Sequence, residues 1–197
     1  MTNDALPISS PVGLVAGGGV LPFAVADSLA AQGIIPVLFA LQGICDPQGA
    51  ARFRHHWLSI GQFGRLCRLL REENCRQLAF IGTLVRPALS EIRMDFGALR
   101  VLPRVLPAFR GGDDHLLSGM GRLFEREGFS MVGIRDLAPD LLMPEGRLTR
   151  AAPDADANAD IARGRGLLAA LSPFDIGQAA VVIDGHVVAV EDIEGTD

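Results

Sequence analysis

Short apolar runs alternate with amphipathic stretches through the first two thirds of the chain, and this alternation carries the fold signal. Val12 to Val15 is apolar and opens into Gly17-Gly18-Gly19. Leu21-Pro22 follows, and proline suits the first turn of a helix because its missing N–H would lack a partner there. Leu21, Ala24, Val25, Ser28 and Leu29 then share one helical face, with Gly33 placed to close the helix. Ile35 to Leu41 predicts a second strand. Gln62 to Glu73 predicts a second helix with Phe63, Leu66, Cys67 and Leu70 inward, and Gln77 to Ile81 a third strand. Strands and helices in alternation point to an α/β fold with a parallel sheet and crossover helices.

Helical patterns continue around Phe96 to Phe109, kinked or split by Pro103 and Pro107, and over Asp113 to Glu127. Phe129 to Ile134 predicts a further strand. A Rossmann-like N-terminal domain is therefore expected over residues 1–135. Residues 136–158 hold Pro139, Pro144 and Pro153 among small and charged residues, and read as a linker. A helix near Asp160 to Leu171 opens the remainder, residues 159–197. Ala179 to Ile183 and His186 to Val190 follow, joined by Asp184-Gly185, a strong two-residue hairpin signal between β-branched runs. So short a segment buries little core, so a smaller, incomplete α/β C-terminal domain is expected.

Composition narrows the chemistry. Hydrophobic residues at 49% and charged residues at 21% allow a packed core. No apolar run approaches the ~18–20 residues of a spanning helix, and Met1 to Pro11 lacks a basic start followed by an apolar core. A cytoplasmic protein is expected. The three cysteines are odd in number and form no CxxC pair, which argues against a disulfide framework or a structural zinc site. A net charge of −5 with no basic block argues against nucleic acid as a partner. All 18 basic residues are arginine. A P-loop lysine, a Schiff-base lysine and a lysine general base are thereby excluded, and any phosphate held by a cationic side chain is held by arginine.

Several motifs admit two readings. Gly17-Gly18-Gly19 between strand and helix can present backbone N–H groups to a phosphate, or can be a tight turn without a ligand. The dinucleotide fingerprint is not met, because Pro22 stands at the third glycine position and Ala40-Leu41-Gln42 offers no acid for a ribose hydroxyl. Gly111-Gly112-Asp113-Asp114 precedes a helix, so one aspartate is a natural cap, while two adjacent carboxylates could also hold Mg²⁺. His55 and His56 would point to opposite faces of a strand and share no metal. Glu191, Asp192, Glu194 and Asp197 cluster around Thr196 and Gly195, either as a solvated tail or as oxygen ligands for a divalent cation.

These pieces, in order, resemble a known family. Gly13-Leu14-Val15-Ala16-Gly17-Gly18-Gly19-Val20-Leu21-Pro22 is followed by Ile60-Gly61-Gln62-Phe63-Gly64, then Gly82-Thr83-Leu84-Val85-Arg86-Pro87 and Gly112-Asp113-Asp114. Asp175-Ile176-Gly177-Gln178-Ala179-Ala180-Val181-Val182, Ala189-Val190-Glu191 and Glu194-Gly195-Thr196-Asp197 complete the series. The chain is similar to the UDP-2,3-diacylglucosamine pyrophosphatases of lipid A synthesis, of the type unrelated to the calcineurin-like enzymes. The resemblance implies two domains and Mg²⁺-dependent (or Mn²⁺-dependent) hydrolysis to UMP and 2,3-diacylglucosamine 1-phosphate. It implies substrate contacts from Gly17, Gly18, Gly19, Leu21, Pro22, Thr83, Arg86, Asp113, Asp114, Gln178 and Thr196. Glu194 and Asp197 are the implied catalytic and metal-binding residues. A homo-oligomer and peripheral contact with the cytoplasmic face of the inner membrane are compatible with the resemblance.

Two departures from the family pattern stand out. Thr83 occupies a position where family members carry Asn or Lys. The family also continues past Glu-Gly-Thr-Asp into an Arg-Val-Asp-Leu-Pro-type segment that this sequence lacks, so a truncated chain with weak or no activity is expected. The competing expectation is a binding module that holds a sugar nucleotide or lipid phosphate without turning it over.

Overall fold

A computed structural model of the chain describes residues 7–83, 95, 97–98, 113–174 and 176–191, with only the backbone described at 113–118. These residues fall into two compact units. One ends at Met143; the other runs on from Pro144 and also takes in residues 113–115.

The first unit is an α/β layer. Its elements are β1 (Val12–Ala16), α1 (Leu21–Ala31), β2 (Pro36–Leu41), α2 (Pro47–Ala50), β3 (Arg54–Leu58), α3 (Phe63–Glu72), β4 (Gln77–Ile81), α4 (Asp113–Arg126, which belongs to this unit from Leu116 on), β5 (Ser130–Met131) and α5 (Ile134–Leu137). The five strands form one parallel sheet in the order β3-β2-β1-β4-β5. The predicted parallel sheet is therefore present, with one strand more than the apolar pattern shows between Leu41 and Gln62. That strand, β3, reads Arg-His-His-Trp-Leu and lies at the sheet edge. Edge strands keep one flank in solvent and tolerate polar side chains, which hides them from an apolar scan.

Strand alternation sorts the core into two layers. Val12, Leu14 and Ala16 of β1 pack with Leu38, Ala40, Ala79 and Ile81 beneath α1. Val15, Val37, Phe39 and Leu78 face Leu66, Cys67 and Leu70 of α3 and Phe124 of α4. Phe124 is fully buried, with the rings of Phe63 at 5.1 Å and Phe80 at 5.7 Å between centroids. On β3, His56 stacks on Phe39, while His55 lies edge-on to Trp57, so the two histidines do part to opposite faces. His56 and Arg54 both bond the buried carboxylate of Glu73, each at 2.7 Å.

α1 ends at Ala31 with Gln32 as its cap and Gly33 beyond it at φ +77°, as the glycine predicts. Its buried face differs from the expected one: Pro22, Phe23, Val25, Ala26, Ser28 and Leu29 are buried, while Leu21 is 40% exposed and Ala24 half-buried. The helix is apolar nearly all round, so periodicity selects its inner face weakly. The expected linker start at Asp136 also gives way, because Leu137 and Ala138 are fully buried in the first unit. Gln32 donates to the Leu137 carbonyl at 2.9 Å, and the Ser28 hydroxyl donates to Asp140 Oδ1 at 2.5 Å.

The second unit contains α6 (Ala155–Leu171), β6 (Ala180–Ile183) and β7 (His186–Val190). α6 begins five residues before the predicted Asp160, because Asp154 caps it by accepting from the Ala157 amide at 2.8 Å. β6 and β7 pair antiparallel across Asp184 (φ +49°) and Gly185 (φ +75°), the left-handed pair that a two-residue turn requires. The Gly185 amide donates to Asp160 Oδ1 at 2.7 Å, which ties the turn to α6.

Candidate functional site

The carboxyl ends of parallel strands, where the strand order reverses, form the usual ligand crevice of an open α/β sheet. Here that reversal falls between β1 and β4. The turn after β1 is Gly17-Gly18-Gly19, and the segment after β4 is Gly82-Thr83. The two are fastened together. Gly17 N–H donates to the Ile81 carbonyl at 2.8 Å, Gly18 N–H to the Thr83 carbonyl at 2.9 Å, and Thr83 N–H to the Gly18 carbonyl at 3.1 Å. A Cβ on Gly17 would lie 2.5 Å from the Thr83 carbonyl oxygen, and one on Gly18 2.8 Å from Thr83 Oγ1. These glycines exist for close backbone approach.

The first two glycine amides are therefore committed to the protein's own backbone. The amides of Gly19, Val20 and Leu21 have no acceptor among the described residues. Gly19 takes φ +84° with open space on its side-chain side, and α1 begins two residues later with Pro22 in its first turn. Of the Gly17, Gly18 and Gly19 amides expected to face an anion, that of Gly19 stays open, together with those of Val20 and Leu21 at the start of α1, where the helix dipole adds positive potential. Val20 at 82% and Leu21 at 40% exposure flank this opening with apolar surface.

Beside the turn, a cavity of about 660 Å³ is lined by Gln42 to Pro47 and by Trp57. It sits at the carboxyl ends of β2 and β3. Ile44 joins it to the glycine turn, because the Gly18 side-chain position lies 3.6 Å from Ile44 Cγ2. Asp46 is held by the amides of Gly49 (2.8 Å) and Gln48 (3.4 Å). The sequence offers no acid directly after β2, yet the loop brings Asp46 back into this cavity. Cys45 also lines it, and burial followed by the Asp46 charge raises its pKa, so it stays a protonated thiol and not a nucleophile.

In the second unit, Gln178 is exposed in the segment before β6. Asp113 and Asp114 are the first two residues of α4, so the helix begins at the pair, and their side chains lie outside what is described. Arg86, Glu194, Thr196 and Asp197 also lie outside the described residues. Among the described residues no three His, Cys, Asp or Glu side chains converge as a metal site. No helix among them is long and apolar enough to cross a membrane.

Two family models match the chain in succession: the LpxI N-terminal domain over residues 11–141 and the LpxI C-terminal domain over residues 144–197. The chain belongs to the LpxI family. Its similarity to the UDP-2,3-diacylglucosamine pyrophosphatase LpxI of Caulobacter vibrioides is 38% identity over 186 residues. That alignment covers 94% of this chain and 66% of the relative, so the chain spans just under two thirds of the relative's length. The boundary between the LpxI models coincides with the structural one at Met143 and Pro144. No local pattern in this LpxI-family chain announces the cavity, because its wall is a loop of mixed residues that only the pairing of β3 with β2 brings beside Trp57. The one available signal was Trp57 itself, the single tryptophan in a chain without tyrosine.

Proposed function

We propose that this chain acts on UDP-2,3-diacylglucosamine and hydrolyses its diphosphate, giving UMP and 2,3-diacylglucosamine 1-phosphate. The match of both LpxI models, in order along the chain, supports this reading. The open amides of Gly19, Val20 and Leu21 fit it chemically, since a diphosphate is the anion such a helix start receives best. Thr83 holds the turn in place through its backbone. Arg86 would grip a phosphate with two parallel N–H donors. Gln178 and Thr196 would supply further polar contacts, and Asp113 and Asp114 would act as acceptors for sugar hydroxyls.

In the reaction, water adds to one phosphorus, the bridging P–O bond breaks, and a carboxylate takes the proton from water. Glu194 and Asp197 offer that base. Their carboxylate oxygens also suit a hard divalent cation, Mg²⁺ or Mn²⁺, which would offset phosphate charge when bound. A diacylated substrate places the protein at the cytoplasmic face of the inner membrane as a peripheral visitor.

The test incubates the chain with UDP-2,3-diacylglucosamine in Mg²⁺, in Mn²⁺ and in excess chelator, and follows UMP and the lipid monophosphate by mass spectrometry. Whatever hydrolysis the chain performs should release both products and depend on the metal. It should fall by at least about a hundredfold in Asp197→Asn and Glu194→Gln with unchanged melting temperature. Ligand-induced stabilisation of the folded chain without product would replace hydrolysis by binding alone.

A further inference from the structure

We infer that Asp95 is a positioning residue for substrate binding: from the N-terminus of α3 it fixes, through Arg65, Gln62 and Ser59, the Gln42 side chain in the wall of the cavity beside the glycine turn. The inference rests on the reading above that this turn receives the substrate's diphosphate.

The dock of Asp95 is built for it. α3 begins at Phe63, and its cap residue Gln62 makes no side-chain capping bond. The first amides of a helix need acceptors from elsewhere. Asp95 supplies them: its Oδ1 accepts from the Gly64 amide at 3.2 Å and its Oδ2 from the Arg65 amide at 2.8 Å. The same carboxylate folds in its own segment, since Oδ1 also accepts from the Ala98 amide at 2.7 Å and the Asp95 amide donates to the Gly61 carbonyl at 3.2 Å. Three glycines serve the contact. Gly61 turns at φ +94°, a Cβ on Gly97 would lie 2.5 Å from Gly64 Cα, and one on Gly64 3.1 Å from Gly97 Cα. The Ile60-Gly61-Gln62-Phe63-Gly64 motif, which the reaction itself leaves without a task, is thus the receptor of Asp95. A Ser, Thr or Asp at position 62 would cap α3 locally. A carboxylate taken from 31 positions beyond Gly64 joins the chain after β4 to the loop after β3 instead.

A polar relay leads from this dock to the cavity. Arg65, its amide held by Asp95, donates from Nη1 to Gln62 Oε1 at 3.3 Å. The same oxygen accepts from the Ser59 amide at 3.1 Å, so both its lone pairs are used. The Ser59 hydroxyl then donates to Gln42 Oε1 at 2.7 Å. Gln42 lines the cavity, and Ile44, two residues on, lies 3.6 Å from the Gly18 side-chain position. Gln42 is exposed, so without this bond its amide would sample several rotamers. A group carried by the diphosphate therefore meets an amide already oriented, and ordering done before binding appears as affinity. No residue of the relay touches the reacting phosphorus in this reading, so its loss should fall on KM and spare kcat.

Steady-state hydrolysis of UDP-2,3-diacylglucosamine by the full chain, with calorimetric titration of the same lipid in excess chelator, tests this. Asp95→Ala and Gln62→Ala should each raise KM and the dissociation constant about fivefold or more, with kcat within about twofold. The double variant should be no worse than the worse single one, because both cut one relay. Gln62→Glu keeps the acceptor for Ser59 and Arg65 and should stay near the starting KM. Unchanged KM and dissociation constant in both alanine variants would overturn the inference and leave Asp95 a helix cap alone. Gln62→Ala keeps the dock of Asp95 and decides the matter if Asp95→Ala does not fold. A readout without ligand separates this inference from the substrate reading. The amides of Gln42 and Ile44 donate to the Leu58 and Leu41 carbonyls, and their hydrogen exchange should be faster in both alanine variants. A starting chain that neither binds nor hydrolyses the lipid would remove the substrate reading. Faster exchange at these two amides would then still uphold the relay, and unchanged exchange would overturn it.

Discussion

Gly18 and Thr83 exchange two backbone hydrogen bonds, at 2.9 and 3.1 Å, and so close the sheet's central crevice just beyond β1 and β4. The bridge leaves no room for a side chain on the glycine side. Gly17→Ala would set its methyl carbon 2.5 Å from the Thr83 carbonyl, a contact with backbone that cannot swing away. We expect it to destabilise the protein by about 2 kcal/mol, as overpacked core sites do. Gly166→Ala, a helical position with open space, should be neutral or slightly stabilising in the same urea titration.

Thr83→Ala should test the other half of the bridge. Its contribution to the pairing is made by the backbone, so stability should change by less than about 0.5 kcal/mol. Thr83→Pro removes the donating N–H and should cost about 3 kcal/mol or more. Equal losses in the two variants would mean that the side chain, not the ladder, holds the turn.

Phe124 touches three other phenylalanine rings and is fully buried. Phe124→Ala should cost about 3–5 kcal/mol by chemical denaturation, while Phe124→Leu should recover much of that.

Burial raises the thiols of Cys67 and Cys75 to about 12 from a usual value near 9.0. The folded value lies above the unfolded one, so their contribution to stability is complete below pH 9.0. It is lost between there and about 12, as the unfolded chain releases its protons first. Stability measured in urea should therefore fall as pH rises through this window. In Cys67→Ala that fall should be shallower by up to ~1.4 kcal/mol per pH unit. At pH 8 the three buried thiols should react with a disulfide reagent only after denaturant is added.

The turn between β6 and β7 should respond to φ rather than to polarity. Gly185→Val should cost about 1–2 kcal/mol and speed amide exchange in the hairpin, while Asp184→Asn should be nearly silent. Asp160→Ala should also speed that exchange, because it removes the acceptor for the Gly185 amide.

Strong local signals held in three dimensions. Glycine at 33 and Asp-Gly at 184–185 act through their own backbone angles, so sequence alone announced them. The apolar runs of β1, β2 and β4 are buried on both faces of a sheet and could be little else. β3 was hidden by its Arg and His residues, whose partner Glu73 lies 17 positions away from His56. Asp154 as the cap of α6, and Leu137 as core, were likewise masked by a proline-rich, charged neighbourhood.

The sequence by itself determined the alternation of strands and helices, the glycine turn, the hairpin and the membership of a pyrophosphatase-like series of motifs. Each of these depends on residues close together in the chain. The tertiary structure decided which glycine amides remain open, by spending those of Gly17 and Gly18 on Ile81 and Thr83. It also decided that Gln42, Asp46 and Trp57 share a cavity, since only pairing β3 beside β2 joins them. Hydrogen-bond partners and cavity walls are set by contacts between distant segments, which no local pattern encodes.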